Sequence, residues 1–68
     1  MLTGKPAKRH LRELARRHND GLDVALLWDE RTDRLSVTVL DARTGEHFRL
    51  AAPPDRALDV YYHPYVYV

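Results

Sequence analysis

Two stretches of strict alternation limit this chain more than anything else in it. Leu22, Val24, Leu26 and Trp28 alternate with Asp23, Ala25, Leu27 and Asp29. Leu35, Val37 and Val39 alternate with Ser36, Thr38 and Leu40. A period of two places each apolar set on one face of an extended strand. Residues 29–34 between them are polar turn material, so the two strands pair antiparallel through a short connection. Leu27 gives the first strand an apolar residue on its second face as well, the pattern of a central strand. A third strand follows from His47 to Leu50, with Phe48 and Leu50 inward, across a tight loop that ends at Gly45. Glycine there supplies the positive φ that such a loop needs.

Before and after this meander the spacing changes to that of helices. Ala7, Leu11, Leu14, Ala15 and His18 fall at i, i+4, i+7, i+8 and i+11, one stripe at helical period. Pro6 suits the first turn, and Asn19-Asp20-Gly21 supplies a stop with Gly at the left-handed cap position. A helix over residues 6–18 is therefore expected. At the other end, Pro53-Pro54-Asp55 opens a second helix, and Leu58, Tyr61, Tyr62 and Tyr65 lie at i, i+3, i+4 and i+7. Pro64 biases His63 away from helical angles and closes it. The predicted fold class is α+β: a two-layer α-β-β-β-α domain with a three-stranded antiparallel meander and helices on one face.

With 68 residues the chain makes one domain, residues 1–68, with residues 1–5 a flexible lead and residues 65–68 a tail. A domain of this size buries only about 60% of the surface its unfolded chain exposes. There is no Cys to add a disulfide or a thiolate zinc site. The longest apolar run, from Val24 to Trp28, is far short of the roughly 20 residues of a membrane span. No apolar stretch of signal-peptide type precedes Pro6. A cytoplasmic protein without membrane contact is expected.

Several chemistries lack their parts. Asp59 and His63 stand at i, i+4, but two ligands do not make a zinc site, and His10 and His18 are too far apart to join them. Ser36 is the only Ser and sits in mid-strand instead of at a strand-to-helix elbow. The three Gly residues all fall at turns, so no phosphate-cradling loop exists. Asp29, Glu30 and Asp33 share one loop without the spacing of a calcium site. No enzyme activity, cofactor or metal is expected.

Charge is uneven. Residues 1–20 carry six basic side chains against two acids, and residues 21–68 five against eight. On the expected first helix Lys8, Arg9, Arg12 and Arg16 form a positive stripe opposite Leu11 and Leu14. Such a stripe fits nucleic-acid phosphates, although no aromatic residue is interleaved for base stacking. The last residues favour another partner. Tyr65, Val66, Tyr67 and Val68 alternate and have high strand propensity. A binding module that self-associates as a homodimer or docks on a protein partner is the leading expectation, with Tyr62, Tyr65, Tyr67 and Val68 as contacts and Trp28 at the sheet edge. The tail is expected to divide at Pro64: Tyr61 and Tyr62 belong to the fold, Tyr67 and Val68 to the contact. Nucleic-acid binding through Lys8, Arg9, Arg12 and Arg16 is the alternative.

The α-β-β-β-α order and the length are similar to the double-stranded RNA-binding domain. That family reads duplexes with a His-containing loop between its first two strands and a basic cluster opening its last helix. The corresponding loop here is Asp29 to Arg34 and the helix opens Pro53-Pro54-Asp55-Arg56, so none of that family's binding residues carries over. The segments LLWD, DARTGE and PPDRALDVYYHPYVY resemble short hypothetical proteins of actinobacteria over nearly the whole chain. That resemblance implies a bacterial source and no activity.

Overall fold

The computed structural model describes residues 11–68. Four antiparallel strands run in sequence order: β1 (Leu11–Asn19), β2 (Leu22–Asp29), β3 (Arg34–Asp41) and β4 (His47–Ala51). Two short helices follow, α1 (Ala57–Tyr62) and the single turn α2 (Pro64–Tyr67). The class is α+β with a meander, and the alternating segments are the strands that their period requires. Val24 meets Val39 and Leu26 meets Val37 across β2 and β3. Leu50 and Phe48 continue the same layer on β4. Ala57, Val60 and Tyr61 of α1 close over this face, with Val24, Val37, Val39 and Val60 almost wholly excluded from solvent.

The expected first helix is overturned for residues 11–18, which form an edge strand paired with β2. The reason lies at its end. Asp20 (φ 52°) and Gly21 (φ 81°) are a two-residue loop with both φ values positive, and Asn19 pairs directly with Leu22. A hairpin turn of this kind has the twist that antiparallel strands need, and Asp-Gly is among its preferred sequences. The same dipeptide also stops helices, so the sequence admits either outcome. Pairing then prevails over the helix preference of Leu, Arg, Glu and Ala. A bulge between Glu13 and Ala15 sets Leu14 out of register and turns Ala15 and Arg17 toward the helices. The expected flexible lead, the beginning of that helix, and Lys8 and Arg9 lie outside the described residues.

The turns are held by their own side chains. The Asp29 carboxylate accepts the backbone N–H of Arg31 at 2.9 Å, and the Trp28 indole donates to Asp33 at 2.9 Å. In the β3–β4 loop the Asp41 carboxylate accepts the backbone N–H and the guanidinium of Arg43, at 2.9 and 3.1 Å. Gly45 (φ 82°) returns the chain, its N–H donating to the Asp41 carbonyl at 2.7 Å. The aliphatic stem of Arg43 lies over Gly21, so close that a Cβ there would stand 2.9 Å from Arg43 Cγ.

On the sheet face away from the helices, Arg16, Ala25, Thr38 and Arg49 line up across the four strands. Arg49 Nε donates to the hydroxyl of buried Ser36 at 3.2 Å. No helix among the described residues is long and apolar enough to cross a membrane.

Candidate functional site: an aromatic corner at the chain's end

Pro64 interrupts the helical path, and two short turns result where one longer helix was expected. His63, between them, takes an extended φ of −134°, and its N–H donates to the Asp59 carbonyl at 2.8 Å. Pro64 is buried at the first position of α2, where a missing N–H costs nothing. Tyr67 lies three residues on, on the same inward side, and packs against the core. Its hydroxyl donates to the Asp59 carboxylate. That bond, then partial burial, holds the phenol pKa above its usual value. The intervening Tyr65 and Val66 point outward, 52% and 75% exposed.

The tail is thus a helical turn, and its alternating sequence does not make a strand. The expected division at Pro64 is also corrected. Tyr61 and Tyr67 belong to the fold, whereas Tyr62, Tyr65, Val66 and Val68 face solvent. Leu58, 61% exposed on α1, joins them. Trp28 does not: it lies six residues beyond Leu22 on β2, about 20 Å away at the rise of a strand.

The corner is anchored by a residue that spacing alone did not single out. Arg17, turned inward by the bulge, donates from one terminal nitrogen to the carbonyls of Tyr61 at 2.8 Å and Tyr62 at 3.2 Å. Those carbonyls are the free acceptors at the C-terminal end of α1, where a cation also meets the negative end of the helix dipole. The guanidinium carbon lies 5.4 Å from the Tyr61 ring centre and 5.8 Å from that of Tyr62, within cation–π range. The two rings meet edge to face at 5.0 Å. Tyr65 makes a similar contact with Phe48 at 5.5 Å, fixing α2 to β4. Arg17 becomes legible only once Asp20-Gly21 is taken as a hairpin, which puts it on the inward face with Ala15.

Between these parts lies a shallow groove of about 300 Å³, lined by Arg17, Leu22, Tyr62, His63, Tyr65 and Val66 beside Pro64. No carboxylate lines it. Arg17 Nε is buried there without a hydrogen-bond partner among the described residues.

The basic stripe is dispersed. As strand residues, Arg12 pairs opposite Trp28 and Arg16 opposite Ala25, which puts them on opposite faces of the sheet. Arg12 is bridged to Glu30. Arg16 is held by Glu13 at 2.8 Å and Asp23 at 2.6 Å, hydrogen bonds that raise its pKa further. Among the described residues no three His, Asp or Glu side chains gather as metal ligands. The chain matches no protein-family model, and neither a curated protein nor a solved structure shows detectable similarity to it.

Proposed function

We propose that the protein is a small non-enzymatic binding module of the cytoplasm that meets another protein chain through its Tyr-rich C-terminal corner. One observation carries this reading. Of the large apolar side chains exposed among the described residues, only Leu14 and Leu40 lie elsewhere; Leu58, Tyr62, Tyr65, Val66 and Val68 fall within one short stretch. Scattered exposed apolar residues are ordinary, but a contiguous group marks an interaction surface. Tyrosine suits such a surface, because it offers a large apolar face and a polar tip at low entropic cost. The two rings are also preset: Tyr62 is held by Tyr61 and Arg17, and Tyr65 by Phe48. Little ordering remains to be done on contact, which favours affinity.

Photo-crosslinking in the native cell tests the reading. A benzophenone side chain in place of Val66 or Leu58 is expected to give covalent adducts with a protein chain on illumination. The same group in place of Thr32, at the far turn, is expected to give none. Absence of adducts from both corner positions overturns the proposal.

A further inference from the structure

The corner carries two unlike halves side by side. On α1 and the turn before it, Leu58 stands out 61% exposed, with exposed Asp55 three residues earlier in that turn and Arg56 between them. That half is an apolar knob beside an acid. Asp59, next to Leu58, accepts the Tyr67 hydroxyl on its carboxylate and keeps its negative charge. One turn later comes the groove, with apolar walls from Leu22, Tyr65 and Val66, and with Arg17 and His63 but no acid. Arg17 makes no ion pair among the described residues. Two carbonyls use only part of a guanidinium that has five donors. An acid-flanked apolar knob is what such a groove accommodates.

We infer that the partner at this corner is a second copy of the chain, paired about a two-fold axis with Leu58 of each copy in the other's groove and Asp55 directed toward the other's Arg17 and His63. The inference rests on the corner being the contact surface. It adds that the surface is complementary to itself, which is the condition for a closed two-fold interface in which every contact is made twice. A stable interface takes about 800 Å² from each partner, a minor part of the 4933 Å² that the described residues expose. A domain this small also gains from pairing, because association stabilises the folded form by mass action.

Sedimentation equilibrium of the full chain, with variants checked for secondary structure by circular dichroism, decides the matter. The wild type is expected to show a concentration-dependent monomer–dimer equilibrium. Leu58→Glu, Asp55→Lys and Val66→Glu are each expected to weaken it about tenfold or more. Mixing Asp55→Lys with Val66→Glu is expected to give a heterodimer tighter than either variant alone, since Lys at 55 then meets Glu at 66 and the native pair is kept at the other contact. A dimer indifferent to all three changes, or a mixture that fails to associate, overturns the geometry. A monomer at about 1 mM overturns the second copy as partner. In that case crosslinks from Val66 to a different protein leave the corner as a contact surface, and their absence removes both.

Discussion

Arg17 donates to the carbonyl oxygen of Tyr61 at 2.8 Å, joining the edge strand to the last carbonyls of α1 across 44 residues of chain. The same guanidinium lies over the Tyr61 ring. One side chain therefore caps the helix, sets the aromatic pair and fastens the C-terminal corner to the sheet.

Removing it is expected to cost about 2 kcal/mol, the usual loss for a hydrogen bond to a charged donor in a partly buried place. Arg17→Ala and Arg17→Lys should both lower the midpoint of urea unfolding. Arg17→Met should fall less than Arg17→Ala, because it keeps the apolar stem packed against the corner. Equal stability of wild type and Arg17→Ala would show that the clasp contributes nothing.

Gly21 and Gly45 share a positive φ but differ in surroundings. Only at Gly21 would a Cβ crowd a neighbour, Arg43 Cγ at 2.9 Å. Gly45→Ala should cost about 1–2 kcal/mol from backbone conformation alone. Gly21→Ala should cost more, and the excess should shrink in the double variant with Arg43→Ala. Calorimetric melting of the four proteins measures that coupling.

The bond from Arg43, offset in part by burial, holds the Asp41 carboxyl below its usual value of 3.8. A lowered folded-state pKa means that the unfolded chain binds more protons between the two values. Stability from this pair is therefore complete above the ordinary carboxylate range and lost as pH falls through the folded value. Tyr67 has the opposite sign. Its pKa is raised above the usual 10.0, so its contribution is complete below that value and fades as pH rises through the folded value. Carboxyl NMR titration should find Asp41 depressed in the wild type and returned toward 3.8 by Arg43→Met. Tyr67→Phe should remove the alkaline loss.

Inward and outward tyrosines should separate cleanly. Tyr61→Ala is expected to cost about 3–5 kcal/mol, as for other buried aromatics. Val66→Ser should stay within about 0.5 kcal/mol of wild type while weakening association. Tyr62→Ser should weaken association at a cost of about 1 kcal/mol from its lost contacts with Tyr61 and Arg17. Removing residues 65–68 should do both, because it takes Tyr67 from the core along with the exposed Tyr65 and Val66. Denaturant unfolding and sedimentation on the same samples test the distinction.

The central strands were legible because both of their faces carry information: Val24, Leu26, Val37 and Val39 must share one side. The edge strand was not. It packs only Ala15 and the arginine stem of residue 17 against the core, and its bulge breaks the period of two. What remains visible, Leu11, Leu14 and Ala15, is spaced like a helix. At the C-terminus, Pro64 correctly marked a break. The alternation after it misled, since in a single helical turn Tyr67 comes back beneath Pro64 while Tyr65 and Val66 turn away. Which tyrosines face solvent and which are packed inward depended on that one turn.

The bulge at Leu14 also bears on how large an assembly this protein can build. A flat, evenly spaced edge strand invites the next molecule to add a strand, and the next again, toward a fibre. On β1 the ladder is interrupted at Leu14, and charged side chains flank the interruption. On the opposite edge β4 is only five residues long, and Pro53 and Pro54 follow soon after it. Among the described residues neither border of the sheet offers an uninterrupted template, so under the proposed pairing assembly ends with two copies and does not continue from sheet to sheet.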